Sequence, residues 1–381
     1  MKFIVNSQLL SKQISSISGI IVNSNAVPII NCFHFHVEGN SLTVKTTDLA
    51  TTLTTTIVIE NSDEGGLSDV AIPSSLLLNI LKNLNDAPIV MEVDESNYTV
   101  TITSGEGQYR ISGRNAETYP ALNPMEDSNK LVIPASVIVS AINTTSFAAS
   151  SDEESHQQLS GILLEIGSEY TTFVATDGHK LVRFRRNDIK SDEPARFILP
   201  SKPINIVKSI LSSGKEDYDV VVEYNNVNVS FSFGNYYAVC RLIDGKYPNY
   251  DAAIPKNNPS KLTADRLTLL NTLRRVSLFA NQATNQVRLS LNSDNVVISS
   301  EDIEFANDAH EKIPCAFDGE PFDIGFNARY LIDMLGRLDT EEILMELASP
   351  VKPGIITPLN NSEEQQNENV LMLVMPVSLS Y

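Results

Sequence analysis

Apolar positions along the chain change their period six times. Alternation with period two marks a strand; spacing of three and four marks one face of a helix. A strand runs straight into an amphipathic helix in MKFIV-NSQLLSKQISSI, DVAIP-SSLLLNILKNL, KLVIP-ASVIVSAINTT, RFILP-SKPINIVKSIL, SKLTADRLTLLNTLRRV and FDIGF-NARYLIDMLGRL. In the second of these, Leu77, Ile80, Leu81 and Leu84 recur at helical spacing. A Ser, Asn or Thr stands at most of the junctions, where its side chain suits the first free N–H groups of a helix. Helices are predicted over 6–20, 73–85, 134–150, 201–213, 263–281 and 327–339. Between them the chain alternates, as in VVVEYNNVNVSFSF, which predicts antiparallel strands and hairpins.

The pattern is threefold. Tyr119-Pro120, Tyr247-Pro248 and Met375-Pro376 each follow an alternating segment, and the prolines are 128 residues apart both times. Thr47-Asp48 and Thr176-Asp177 are 129 apart, each closing a short apolar strand; Glu301-Asp302 is a weaker third copy. Such a period predicts repeated structural units. The expected class is α+β, with three similar domains, each of two helices packed on antiparallel sheets: residues 1–129, 130–257 and 258–381. Linkers are expected at 121–130 and 250–260, and exposed loops at 148–158, 187–195 and 358–369.

Composition narrows the class. Of 381 residues, 42% are hydrophobic and 20% charged, which excludes wholesale disorder. No apolar run approaches the roughly 18 residues that span a bilayer, and the N-terminus lacks a signal-peptide profile. Cys32, Cys240 and Cys315 are too few and too far apart for a disulfide framework or a CxxC metal knuckle. A cytoplasmic protein with no membrane partner and no cofactor is expected.

The net charge of −19 argues against a nucleic-acid partner until its distribution is considered. The six predicted helices hold nine basic residues against three acidic, a balance of +6, so the rest carries −25. The first four hold no acid at all. Either Ser and Asn filled the polar positions by chance, or the helices line a surface that must not repel an anion, for which nucleic acid is the natural candidate. Few basic residues and no base-reading motif point to sequence-blind contact with a phosphate backbone.

Two histidine patterns invite other chemistry. Asp177 stands two residues before His179, which would serve a hydrolase if a nucleophile joined them; TDGH reads instead as a tight turn with Gly178 at positive φ. His34 and His36 share one strand face, but zinc needs two further ligands and none is evident, so a solvated face is expected. A surface adhesin would suit the acidity but lacks a signal segment.

The strings Ala175-Thr176-Asp177-Gly178-His179-Lys180-Leu181, Asp244-Gly245-Lys246-Tyr247-Pro248-Asn249-Tyr250 and Val374-Met375-Pro376 resemble the bacterial DNA polymerase III beta subunit family, the sliding clamps. The start MKF, Val27-Pro28-Ile29 and Gly325-Phe326-Asn327 match as well, so the resemblance spans the chain. It implies the DNA clamp fold and a head-to-tail homodimeric ring that encircles double-stranded DNA, with helices inside and sheets outside. Twelve helices about 9 Å apart, each about 10 Å thick, would leave an opening of about 24 Å. Function would follow from topology: a tethered polymerase stays on its template at high effective concentration. No catalysis is expected of the chain.

The resemblance also implies sites. A groove between the second and third domains would take linear motifs from the DNA polymerase III alpha subunit, the clamp loader delta subunit, other polymerases and mismatch-repair proteins. Its walls would include Leu159, Thr176, Gly178, His179, Leu181 and Pro248, with Ala253 beside them, and, from the chain's end, Val374, Met375, Pro376, Val377 and Leu379. Taken singly, Leu159 and Val374 read as core. DNA contacts would fall to Lys12, Lys82, Lys202 and Lys208; Arg274, Arg275 and Arg337 join them on helix position alone. Ser24 and Ser75 stand where the family typically has arginine. The dimer seam would set Tyr109 and Ile111 against Leu278 and Phe279. Ser380 and Tyr381 extend past the family's usual ending.

Overall fold

A computed structural model describes residues 1–61, 67–122, 125–152, 154, 156–214, 217–359 and 367–379. Most of the 358–369 loop, and Ser380 and Tyr381, lie outside these residues.

The first repeat runs β1 (Lys2–Asn6), α1 (Ser7–Ile17), β2 (Cys32–Glu38), β3 (Ser41–Thr47), β4 (Thr51–Val58), β5 (Glu60–Asn61), β6 (Asp69–Pro73), α2 (Ser74–Lys82), β7 (Pro88–Val93), β8 (Thr99–Ser104) and β9 (Gly107–Ser112). The second runs β10 (Asn129–Pro134), α3 (Ala135–Thr145), β11 (Gly161–Ile166), β12 (Thr171–Thr176), β13 (Lys180–Arg186), β14 (Ala195–Pro200), α4 (Ser201–Leu211), β15 (Asp219–Tyr224), β16 (Asn228–Phe233) and β17 (Tyr236–Arg241). The third runs β18 (Ser260–Asp265), α5 (Arg266–Val276), β19 (Gln286–Asn292), β20 (Asn295–Asp302), β21 (Asn307–Pro314), β22 (Ala316–Asp318), β23 (Phe322–Asn327), α6 (Ala328–Leu335), β24 (Glu342–Leu347), β25 (Gly354–Leu359) and β26 (Glu368–Val374).

Each α-helix begins where the period changes. Asn6, Asp265 and Asn327 cap α1, α5 and α6, accepting from the N–H of Leu9, Thr268 and Arg329 at 2.8, 2.7 and 3.0 Å. The second junction differs from expectation. Pro73 is its cap residue and offers no side-chain acceptor, while Ser74 turns inward and donates to the carbonyl of Asn31 at 2.6 Å. Leu10, Ile14 and Ile17 of α1 are fully buried. Burial of each contributes about 1.5–3 kcal/mol.

The chain folds into two compact units that do not coincide with the repeats. Residues 1–139 and 202–242 form one; 140–201 and 243–381 form the other. The first unit contains the sheets β5-β1-β7-β8-β9 and β10-β15-β16-β17-β4-β3-β2-β6. The second contains β21-β20-β19-β23 and β14-β11-β12-β13-β26-β25-β24-β18-β22. All the pairings are antiparallel. The two long sheets share one plan: a strand ending one repeat zips onto a strand of the repeat before it. In the first unit β17 pairs with β4, Tyr236 to Thr55 through Cys240 to Thr51. In the second β26 pairs with β13, Glu368 to Arg186 through Val374 to Lys180.

The helices keep the charge asymmetry in sharper form. Within their observed bounds the six α-helices hold eight basic residues and one acid, Asp333. Asp265 is a cap, and Arg337 and Asp339 lie beyond the end of α6 at Leu335. No helix among the described residues is long and apolar enough to cross a membrane.

Candidate functional site

The site of interest is in the second unit, where β12 turns into β13. Asp177 Oδ1 accepts from the N–H groups of His179 and Lys180 at 2.8 and 2.9 Å. Thr176 Oγ1 donates to the Lys180 carbonyl at 2.7 Å and accepts from the Gly178 N–H at 3.1 Å. Gly178 has φ of 90°, and a Cβ there would meet nothing within 4 Å. The glycine is therefore needed for its backbone conformation, not for space.

The end of β26 is fastened to this turn: the Met375 N–H donates to the His179 carbonyl at 2.9 Å. Two residues on, the Val377 N–H donates to the Gly325 carbonyl, also at 2.9 Å. Here space does demand glycine. A Cβ on Gly325 would come within 2.7 Å of the Val377 oxygen and 2.8 Å of Leu379. Beneath lies an apolar cluster of Leu159, Leu163, Val174, Leu181, Ile198, Tyr247, Tyr250 and Leu373. Its edges carry the expected contact residues. Gly178, His179, Pro248, Ala253 and Met375 are exposed, and Pro376, Val377 and Leu379 are half-buried.

Three expected wall residues are less accessible. Leu159 and Thr176 are each 9% exposed and Leu181 3%, so they form floor. Val374, with no exposed surface, is corrected to a core residue that cannot meet a ligand without repacking. One residue of the site is missing from the sequence reading. Tyr330 of α6 stacks on His179 with centroids 6.4 Å apart, and the Lys180 ammonium lies 4.6 Å from the centre of its ring. Lys180 also pairs with Asp177. Asp177 thus binds backbone N–H groups and a lysine while the imidazole faces Tyr330, so the pair is not a catalytic dyad.

Of the proposed basic contacts, Lys12, Lys82, Lys202 and Arg274 are exposed and Lys208 is half-buried. Arg275 is engaged by Glu311 of β21 through two hydrogen bonds of 2.9 and 2.6 Å, and so faces an edge strand. Arg337 follows α6 rather than riding on it, its guanidinium 5.9 Å from the centre of the Phe147 ring.

The seam candidates lie on one edge strand, β9, and beside another, β21. In the first unit β9 is an edge strand; Tyr109 is 39% exposed beside Asn79, Ile80, Asn83 and Leu84, around a concavity of about 280 Å³. Ile111 is corrected to core: it faces the same side but is 1% exposed. In the second unit β21 is one of the edge strands. Leu278 and Phe279 beside it are 81% and 42% exposed, around a concavity of about 520 Å³.

His34 and His36 have a partner that the sequence did not reveal. Asp69 Oδ1 lies 2.8 Å from His34 Nε2 and 2.9 Å from His36 Nδ1, and His34 stacks on Tyr119. The strand face is bridged by a carboxylate rather than simply solvated. No group of three metal-ligating side chains is arranged around an ion site among the described residues.

Three βαβββ-type pairs, joined by sheets that cross the repeat boundaries, define a clamp-type α+β protein. Models of the DNA polymerase III beta subunit N-terminal, central and C-terminal domains match residues 1–123, 132–249 and 251–378, and the chain belongs to that family. It is 27% identical over 385 residues to the beta sliding clamp of Synechococcus elongatus and 26% over 381 to that of Pseudomonas aeruginosa, with 100% of each chain covered. The solved P. aeruginosa clamp, bound to griselimycin, superposes with a TM-score of 0.91 at 26% identity. The Thermotoga maritima beta subunit gives 0.89 at 25%, and both alignments cover 100% of each chain.

Proposed function

We propose that this chain is a DNA-encircling processivity factor: two copies close head to tail around a duplex and hold the replicative polymerase on it. The observation that carries this reading is the charge partition, eight basic residues against one acid on the helices of a chain of net −19. Helices that face phosphate must not repel it, while weak, sequence-blind contacts let a closed ring slide. The exposed Lys12, Lys82, Lys202 and Arg274, with Lys208, are the contacts that fit best. Arg275, on release from Glu311, and Arg337, just past α6, are further proposed contacts.

The three repeats are taken as domains 1–129, 130–257 and 258–381. Closure pairs the β9 edge of one copy with the β21 edge of the other, Tyr109 meeting Leu278 and Phe279; two otherwise unpaired edges are thereby satisfied. The surface around His179, Pro248, Met375 and Pro376 takes apolar linear motifs. The DNA polymerase III alpha subunit, the clamp loader delta subunit, other polymerases and mismatch-repair proteins are the partners. Met375 suits a shared surface because its side chain adapts to different ligands. The chain works in the cytoplasm and supplies no catalytic group.

The test is primer extension on a long template with polymerase, clamp loader and ATP. Addition of the chain should convert short products into long ones. Replacement of Lys12, Lys82 and Arg274 by Glu should weaken loading and DNA contact, most strongly at low salt. Product length indifferent to the chain would refute the reading.

A further inference from the structure

The apolar floor of the site has a charged continuation. Leu181, Arg183 and Arg185 alternate onto one face of β13. Leu181 belongs to the buried cluster; Arg183 lies opposite Val174 of that cluster and opposite Leu371, which packs against it. Arg185 lies opposite Thr172 and Asn369. Two guanidinium groups thus follow the apolar wall in successive strand steps of about 7 Å.

Both side chains are held in place, yet neither is neutralised. Arg183 donates from Nη2 to Asn369 Oδ1 at 3.0 Å, and its Nε is buried without a hydrogen-bond partner. Arg185 lies 3.8 Å from the centre of the Tyr170 ring and donates from Nε to Thr172 Oγ1 at 3.3 Å. Among the described residues neither forms an ion pair, and three of the nearby acids are committed elsewhere. Glu165 binds Arg196 at 3.1 Å and Tyr250 at 2.5 Å; Asp188 and Glu368 each bind Arg186 at 2.7 Å. Asp251 remains, exposed on the turn that carries Tyr250. Burial, and next the charge of Arg185, lower the Arg183 pKa from its ordinary value. A half-buried cation in that setting gains from an incoming carboxylate.

We propose that Arg183 and Arg185 extend the groove into an anion-recognising subsite, which selects peptides that carry Asp or Glu beside their apolar anchor. The proposal rests on reading the groove as a peptide site. One continuous sheet face, apolar and then cationic, fits a peptide with both features; a duplex offers phosphate but nothing for the apolar half.

The experiment is fluorescence anisotropy of the full chain with three labelled twelve-residue peptides. Each has a Leu-Phe core, flanked on both sides by Glu-Glu, Ser-Ser or Lys-Lys. The Glu peptide should bind on the order of 5–10-fold more tightly than the Ser peptide, and the Lys peptide more weakly; the spread should shrink as salt rises. Arg183→Gln with Arg185→Gln should abolish the spread and leave the Ser peptide unchanged. If the double variant fails to fold, Arg185→Gln alone should reduce the spread. Three equal affinities for the parent chain, or a spread that survives the substitutions, would overturn the proposal while leaving the groove intact. If none of the peptides binds, or if Met375→Ala leaves the Ser peptide unaffected, the groove reading itself fails and the subsite with it. Loss of duplex-oligonucleotide binding in a double variant whose peptide spread is intact would reassign the arginines to DNA.

Discussion

Met375 and His179 are joined main chain to main chain, N–H to carbonyl, at 2.9 Å, and Arg241 and Ala50 repeat that bond at the same length. The copy extends to the whole turn. Asp48 Oδ1 accepts from Ala50 and Thr51 as Asp177 Oδ1 does from His179 and Lys180. Thr47 Oγ1 donates to the Thr51 carbonyl and accepts from Leu49 as Thr176 Oγ1 does with Lys180 and Gly178. One scaffold serves both units, and the ligand surface depends on what decorates it.

The decoration predicts opposite stability effects at one backbone position. Leu49 holds φ of 78° where Gly178 holds 90°. A left-handed leucine costs about 1–2 kcal/mol, against about 0.5–1 kcal/mol for the extra chain entropy of glycine. Leu49→Gly should therefore raise stability by up to about 1.5 kcal/mol, and Gly178→Leu should lower it by about the same. Urea denaturation midpoints measure both, and a loss on Leu49→Gly would contradict the argument.

Gly325→Ala should displace the segment from Val377 to Leu379, because the added carbon meets the Val377 oxygen at 2.7 Å. Helical circular dichroism should be unchanged while peptide affinity falls. Unaltered affinity would show that this segment takes no part in binding.

His179→Ala and Met375→Ala should each weaken binding of the proposed partner, the polymerase alpha subunit, about tenfold, or ~1.4 kcal/mol. Val374→Ala should act through stability instead, since that side chain is fully buried. Surface plasmon resonance beside thermal melting separates the two effects.

Leu278→Asp should convert the proposed dimer into a monomer in sedimentation at micromolar concentration, since Leu278 is 81% exposed beside an edge strand that closure would cover. Ile111→Val, at a core position, should leave the association state unchanged. A dimeric Leu278→Asp protein would remove this edge from the seam.

Stability should fall as pH drops below the ordinary histidine value of 6.5. Burial first, and then the charge of Lys45, hold the His34 pKa below that value. The unfolded chain therefore takes the proton more readily, and this contribution is lost between 6.5 and the lower folded pKa. Asp69 adds a second loss at more acidic pH. Burial alone would raise its carboxyl, but hydrogen bonds from Ser68 and His36 outweigh that and bring it down. His34→Gln should flatten the upper part of the profile in urea titrations from pH 7 to 5; an unchanged slope would exclude His34 as its source.

What the sequence could disclose depended on how local the cause was. A change of period is local, so the six strand–helix junctions were legible, as were the caps at Asn6 and Asn327. The turn at Asp177 was legible because its hydrogen bonds span four residues or fewer. Asp69, more than thirty residues from His34, was not, nor was Tyr330, which reaches the turn from another repeat. Tyr109 and Ile111 have the same strand parity; only the tertiary cover over β9 separates an exposed residue from a core one. Arg337 lies past a helix whose sequence pattern runs on to 339 but which ends about one turn sooner, at Leu335.

The sheets that cross the repeat boundaries set a limit on how far the molecule can be dissected. A fragment cut within 121–130 would retain β3 and β4 but lose β17, stripping the Thr51–Thr55 stretch of its partner on one side. Bare main-chain donors and acceptors on a long threonine-rich edge template self-association. Excised single repeats would then be recovered as aggregates, and gene fragments meant to report on one repeat would report on that exposed border instead.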